Sequence, residues 1–221
     1  MTRTPRRRPA LPAPDLPRAQ DLAASTARPV AAGAHDGLLL DGVDLSGVDA
    51  TDARFLGCWL RDCRAGEVVL TGARFVDCRL SALVATELTA RASSWRECEL
   101  EQPRVGVLSA PGAVLERVAL TGGRVDFADL RSSELTDVTF TGCDLRDVDA
   151  AGARWTRVRF EDCRLGALEL SGARLSAVDV STSEVEAVSG LDGLRGLVVD
   201  EVQLLRLAPL LAAHLGIVVV D

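Results

Sequence analysis

Apolar residues recur at every fifth position through most of this 221-residue sequence. All thirty positions from Leu40 to Val185 taken in steps of five are apolar, and the frame never shifts. A second column, two residues upstream, carries small side chains and starts at Val43. A period of five matches neither the 3.6 residues of a helical turn nor the two-residue alternation of a strand. The chain must therefore turn every five residues, with two residues of each unit inside and three outside.

A longer period indicates how many units complete one turn. One set of central residues spaced 20 apart is uniformly bulky: Phe55, Phe75, Trp95, Leu115, Leu135, Trp155 and Leu175. A neighbouring set with the same spacing is smaller and consists of alanine and leucine, from Ala50 to Leu170. This pattern predicts four five-residue units in each turn.

Several units resemble the pentapeptide-repeat family, whose consensus is Ala-(Asp/Asn)-Leu-x-x. The matching runs are 53–57 (ARFLG), 73–77 (ARFVD), 143–147 (CDLRD) and 173–177 (ARLSA). The resemblance implies an all-β fold, a right-handed quadrilateral parallel β-helix of about 7.5 turns over residues 37–189. Arginine often replaces the consensus Asp or Asn. Pro103 occupies an inward position, where we expect an irregular turn because proline cannot donate to a parallel ladder.

The N-terminal residues 1–36 differ from the repeat in composition. They contain six arginines against three acidic residues and are rich in proline, which predicts a disordered basic arm. Arg6, Arg7 and Arg8 are not followed by the apolar stretch of a secretory signal, and no run is long enough to span a membrane. We therefore expect a cytoplasmic protein with no membrane partner.

The C-terminal residues 190–221 read as a short helical cap over the last turn. Asp200 and Gln203 have the spacing of a capping box, Pro209 is expected to kink or split the helix, and residues 217–220 read as a short strand. Alternatively, the leucines of this segment form a homodimer surface, as in relatives whose C-terminal helices join two rods. That candidate surface comprises Leu204, Leu205, Leu207, Leu210, Leu211 and Leu215.

Residues for catalysis or for metal binding are scarce. The chain has no lysine and no tyrosine, and its two histidines lie outside the repeat. All six cysteines (Cys58, Cys63, Cys78, Cys98, Cys143 and Cys163) fall in the small inward column, which predicts buried free thiols in a reducing compartment. We predict no enzymatic activity, no cofactor and no metal site, neither zinc nor calcium.

The remaining candidate for function is the outer surface. Residues 37–221 carry 29 acidic residues against 19 arginines, so direct binding to nucleic acid is not expected. Two hypotheses remain: a scaffold whose faces bind an unknown protein partner, and a DNA-mimicking modulator of DNA gyrase or topoisomerase, as in the fluoroquinolone-protection branch of the family. The candidate partner face for either is the acidic set Asp49, Asp129, Asp149 and Glu169. An arginine column beside it, including Arg54 and Arg74, argues against a full DNA mimic.

Overall fold

Every turn of the protein stacks on the next through parallel strands. The computed structural model describes residues 16–218. Strand partners from Ala34 to Ser189 lie 20 residues apart throughout, as between Phe55 and Phe75 or between Asp149 and Glu169. The fold is a parallel β-solenoid of about eight turns with one C-terminal helix. Four five-residue units per turn, predicted from the period, are confirmed by this register.

The strands form two sheets that share the turns of the solenoid. The 14-stranded sheet contains β1 (Ala23–Ser25), β2 (Ala34–Asp36), β3 (Leu38–Asp41), β5 (Arg54–Leu56), β6 (Trp59–Arg61), β8 (Arg74–Val76), β9 (Arg79–Ser81), β11 (Ser94–Glu101), β13 (Val114–Thr121), β15 (Glu134–Thr141), β17 (Arg154–Glu161), β19 (Arg174–Ser176), β20 (Val178–Asp179) and β22 (Leu197–Val198). The eight-stranded sheet contains β4 (Val48–Asp49), β7 (Arg64–Val69), β10 (Val84–Thr89), β12 (Arg104–Ser109), β14 (Arg124–Asp129), β16 (Asp144–Asp149), β18 (Arg164–Glu169) and β21 (Glu184–Ser189). Two 3₁₀ turns, Ala19–Asp21 and Leu191–Leu194, and the helix α1, Glu201–His214, complete the elements.

The apolar five-residue column forms the core. Every member is buried except Leu100, Leu115 and Val185, which are partly buried. Aromatic rings stack along the axis, with Phe75 lying 4.4 Å from Phe55 and 3.9 Å from Trp95 between ring centroids. All six cysteines are buried and free, so their predicted inward position is confirmed.

The serines that interrupt the small inward column have hydrogen-bonding partners. The indole N–H of Trp155 donates to Ser133 Oγ at 3.1 Å, and that of Trp95 donates to Ser93 Oγ at 2.9 Å. Ser183 Oγ donates to the carbonyl of Phe160 and accepts from the Cys163 amide. A buried polar group is costly unless it is bonded. These serines therefore belong to the core because they satisfy its polar atoms.

Three of the four corners of a typical turn contain a residue in the left-handed backbone region. Gly57, Asp77, Glu97, Arg117 and Asp137 occupy successive turns of one such corner, with φ between 52° and 58°. Glycine adopts this conformation freely, and aspartate tolerates it better than most residues. The fourth corner has no such residue in most turns, because a six-residue strand such as Arg64–Val69 runs through it. The corner positions therefore explain why the outward residues are so often Gly or Asp.

The expectation of an irregular turn at Pro103 is wrong. Arg104 N donates to the Leu83 carbonyl and Arg124 N donates to the Pro103 carbonyl, both at 2.8 Å, so the ladder continues past the proline. The backbone amides of the described residues that stack with Pro103 in this column do not bond to the backbone of the next turn. Cys143 N and Cys163 N donate instead to the side chain of the residue one turn further on. Proline therefore loses no backbone-to-backbone hydrogen bond between turns at this position.

The predicted disorder of residues 1–36 is wrong for the part that the structure describes. Residues 23–25 pair with Leu38–Leu40, and residues 34–36 pair with Arg54–Leu56, so the solenoid begins well before residue 37. His35 takes the central position of its unit and its ring stacks on Phe55 at 4.8 Å. Since this first turn replaces the apolar centre with histidine, the five-residue pattern does not reveal it. Residues 1–15 of the predicted arm lie outside the described residues.

The C-terminal end also differs from the prediction. The solenoid extends past residue 189, because Leu197–Val198 pairs with Val178–Asp179. The helix α1 is continuous through Pro209, which corrects the expected kink or split. Proline removes only its bond to the carbonyl of Leu205, a residue that is 73% exposed, where water can take the place of the missing donor. Residues 217 and 218 form no strand, and the rest of the predicted strand lies outside the described residues.

Candidate partner surfaces

The predicted acidic face is only partly continuous. Asp129, Asp149 and Glu169 are register partners in three successive turns of one outer column. Asp49 belongs to the same column but lies four turns from Asp129. The positions between them are Val69, Thr89 and Ser109. The structure thus brings three of the four carboxylates together and separates the fourth by an uncharged stretch.

Each of the four carboxylates stabilises its own corner of the solenoid. Asp49, Asp129, Asp149 and Glu169 all accept a hydrogen bond from the backbone amide two residues further on, at 2.7–3.2 Å. A side-chain bond of this kind is typical of Asp in turns. Part of the hydrogen-bonding capacity of these side chains is therefore used within the chain.

Arginine neutralises the middle of the acidic face. Arg131 donates to both carboxylate oxygens of Asp129, at 2.8 and 2.7 Å, and lies 3.7 Å from Asp149 Oδ2. These hydrogen bonds hold the pKa of Asp129 below its usual value, although its burial acts in the opposite direction. For Asp49 and Glu169 the pKa is lowered chiefly by hydrogen bonds from Thr51 and Ser171. All three groups are held in the charged form, but only Glu169 and Asp49 lack an arginine partner among the described ion pairs.

Ion pairs between successive turns occupy much of the remaining surface. Arginine meets an acidic residue 20 positions away in the pairs Arg61–Asp41, Arg117–Glu97, Arg154–Glu134, Arg157–Asp137 and Arg164–Glu184. Exposed pairs of this type contribute little to stability, roughly 0–1 kcal/mol each. The predicted arginine column consists of two separate pairs, Arg54 beside Arg74 and Arg154 beside Arg174. Between these pairs the column holds Ser94, Val114 and Glu134. The outer surface therefore carries both signs of charge.

The helix α1 is attached to the last turn by one polar side chain. Gln203 is buried, and its Nε2 donates to the carbonyls of Val180 at 2.8 Å and Ser183 at 2.7 Å. The predicted capping box is confirmed, since Gln203 N donates to Asp200 Oδ1 and Asp200 N donates to Gln203 Oε1. Residue spacing predicts the capping box but not the hydrogen bonds of Gln203 to the last turn. The sequence signal for these hydrogen bonds is a polar residue among apolar ones, on the side of the cap that faces the open end of the sheet.

The leucines of α1 divide between two sides. Leu207 and Leu211 are partly buried and, with Gln203, lie along the side that faces the solenoid. Leu204, Leu205 and Leu215 are 50–73% exposed on the other side. Leu210 is 46% exposed but lies two helical turns from Gln203 on the inner side, where it lines a pocket with Leu207. Val202, which is not part of the predicted set, is 56% exposed and lies one helical turn from Leu205. The structure thus separates the predicted set into an inner side and an apolar outer side.

Within residues 16–218, no group of three or more His, Cys, Asp or Glu side chains comes together in a way that could hold a metal ion. In the same part of the chain, no helix combines the length and the hydropathy that a membrane span requires.

Comparisons with known proteins agree with this geometry. The family model described as pentapeptide repeats matches residues 37–64, 111–147 and 143–181, with eight copies of the repeat. The chain belongs to the pentapeptide-repeat family. In the structure, each turn between residues 34 and 189 contains 20 residues and the central residue of each five-residue unit lies inside, in agreement with that match.

Among the matching solved structures, one with a TM-score of 0.50 resembles the protein in fold. A trypsin-treated variant of QnrB1, described as a plasmid-mediated fluoroquinolone resistance protein, is 18% identical with a TM-score of 0.50, and the match covers 90% of this chain and all of that one. HetL, described as involved in heterocyst differentiation regulation in the cyanobacterium Nostoc, is 19% identical with a TM-score of 0.30, over 76% of this chain and 90% of its own. No curated protein sequence matches the chain.

Proposed function

We propose that this pentapeptide-repeat protein is a non-catalytic scaffold that binds protein through the outer side of α1, and that the first such partner is a second copy of the chain. The observation that carries this proposal is the apolar character of that outer side. Leu205 and Leu215 on that side are 73% and 70% exposed. Apolar side chains that are exposed together in this way mark an interaction surface.

The distribution of polar residues around α1 supports this assignment. Of the 14 residues of the helix, only Glu201, Gln203, Arg206 and His214 are polar or charged, and Gln203 faces the solenoid. A helix that is apolar on all sides is normally buried on all sides. The last turn covers one side, so a second protein surface is required for the other. A two-fold axis beside α1 would bury the same residues from both copies.

The oligomeric state of the full chain in solution tests this proposal. We expect a dimer by light scattering coupled to size exclusion, dissociating on dilution over roughly a hundred-fold range of concentration. Leu205→Glu should give a monomer, because it places a charge in the interface. The matched control is Val84→Glu, which adds the same charge at a valine 44% exposed on the eight-stranded sheet and should leave the dimer intact. A monomer at every concentration contradicts the homodimer.

The alternative function is modulation of DNA gyrase or topoisomerase by imitation of the DNA duplex. The feature that favours it is the run of carboxylates at Asp129, Asp149 and Glu169 in successive turns. The pairing of Arg131 with Asp129 and the arginine column beside it weaken the resemblance to a phosphate backbone. A gyrase supercoiling assay with and without a fluoroquinolone separates the two functions. If the protein at micromolar concentration neither inhibits supercoiling nor protects the enzyme from the drug, the alternative is removed. If an effect is observed, its loss in Glu169→Gln would support the alternative.

We further propose that the protein works in the cytoplasm without a cofactor. Six free, buried thiols support this location, because a reducing compartment keeps such cysteines unpaired. Alkylation of the cysteines in freshly lysed, denatured cells tests it: six modified thiols are expected, and disulfide-linked cysteines would overturn the assignment.

A further inference from the structure

An apolar cavity of about 90 Å³ lies inside the solenoid, near the middle of its length. Its lining includes Ala90, Trp95, Ala110, Leu115 and Leu120. Every residue that lines it is apolar, and the one polar atom among their side chains, the indole N–H of Trp95, already donates to Ser93 Oγ. The cavity therefore offers no free hydrogen-bonding group to a guest.

The cavity has a cause in the sequence of central residues. The turn centred on Leu100, Val105, Ala110 and Leu115 contains no aromatic residue, and neither does the next turn, from Leu120 to Leu135, at its central positions. The turns on either side of this pair contain Trp95 and Phe140. In one column, Ala90 and Ala110 are also direct neighbours in successive turns. The other alanines of that column have leucine next to them. The stacked backbones keep a fixed spacing, so the missing side-chain volume remains as empty space.

The chemistry of this space determines what it can hold. Water needs two to four polar partners, and apolar cavities without them stay dry. An apolar cavity of about 150 Å³ in another protein binds benzene or xenon. The smaller volume here suits a single xenon atom or a hydrocarbon of a few carbon atoms. We propose that this cavity is a binding site for one small apolar molecule.

Xenon is the probe for the test, applied to the full chain under gas pressure. We expect saturable shifts in the methyl resonances of Leu115 and Leu120, which line the cavity, and none at Leu40, which lies at the other end of the core. Ala110→Leu should fill the space, weaken xenon binding at least about tenfold, and raise Tm by roughly 3–5 °C. Ala90→Val is the second variant and should act in the same direction with a smaller effect.

The matched control is Ala50→Leu, which introduces the same side chain in the same column, three turns away, where the neighbouring cavity among the described residues measures only about 20 Å³. It should leave xenon binding unchanged and should not raise Tm. The proposal is overturned by an absence of saturable shifts in the wild-type protein, by equal binding in Ala110→Leu, or by shifts confined to methyl groups outside the cavity. Ordered water in the cavity would also overturn it.

Discussion

Gly123 lies directly above Pro103, one turn further along the solenoid. A Cβ atom at Gly123 would lie 2.6 Å from Pro103 Cδ and 2.7 Å from its nitrogen, which is closer than real carbon contacts allow. Gly123 also has a φ of +82°. The glycine is therefore the residue that admits proline into the inward column.

The first prediction concerns this contact. Gly123→Ala should destabilise the protein by about 3 kcal/mol or more, since the new methyl group meets backbone and ring atoms that cannot move away. Gly142→Ala is the control, because its φ of +63° carries similar strain but nothing lies within 4 Å of its Cβ position. That variant should cost only about 1 kcal/mol. Urea unfolding followed by circular dichroism measures both, and equal losses would contradict the assigned contact.

The second prediction concerns the buried serine beneath Trp155. Ser133→Ala removes the acceptor of the indole N–H and should cost about 1–3 kcal/mol, because the donor stays buried and unsatisfied. Ser176→Ala, at an exposed position, should change the free energy of unfolding by less than about 0.5 kcal/mol. Denaturant unfolding followed by tryptophan fluorescence provides the measurement. A stability of Ser133→Ala equal to that of the control would show that the hydrogen bond contributes nothing.

The third prediction concerns alkaline pH. Burial raises the pKa of the Cys63 thiol. The pKa of the Cys78 thiol is raised to about 12 by its neighbour Cys98 and by burial, although its other neighbour, Cys58, acts in the opposite direction. Thiols of the unfolded chain ionise near pH 8.5, whereas Cys63 and Cys78 of the folded protein stay neutral at that pH. The stability that these two thiols contribute is therefore full below that pH and falls as the pH rises above it. Each such thiol should lower the free energy of unfolding by about 1.4 kcal/mol per pH unit in that range.

Cys63→Ala is the matched variant for this effect, because alanine already occurs in the same inward column at Ala53 and Ala73. The slope of unfolding free energy against pH between about 9 and 10 should decrease by the share of one thiol. An unchanged slope would mean that Cys63 ionises equally in the folded and unfolded protein.

The fourth prediction concerns the attachment of α1. Gln203→Leu should release the helix from the last turn, since it removes both bonds to the carbonyls of Val180 and Ser183 and breaks the capping box. Hydrogen exchange should accelerate over residues 201–214 while protection in β13 and β15 stays unchanged. Glu201→Gln, an exposed change in the same helical turn, should leave exchange near the wild-type rate. Unchanged exchange in Gln203→Leu would place the attachment elsewhere.

Most of the fold could be predicted from the sequence because the inward positions repeat without a break. The 20-residue register, the inward cysteines and the capping box of α1 all followed from spacing alone. The first turn could not be found in this way, since His35 replaces an apolar centre and Val30 is 60% exposed. The regular turn at Pro103 depends on which amides serve the ladder, and spacing does not show that.

The candidate surfaces were less predictable than the fold. Spacing placed Asp129, Asp149 and Glu169 in one column, but not the bidentate contact of Arg131 with Asp129, which depends on the direction of side chains at a corner. The division of the α1 leucines into covered and uncovered sides depended on how Gln203 orients the helix. Contacts across the end of a solenoid have no period, so repeat spacing cannot anticipate them.

The parallel ladders have a mechanical consequence. Each turn bonds only to its two neighbours, and those hydrogen bonds run along the length of the rod. A force that draws the two ends apart therefore loads the rungs one after another, in series, whereas a sideways force is shared by several strands at once. The molecule should be stiff against bending and weak in tension, with a failure point set by its least cohesive rung.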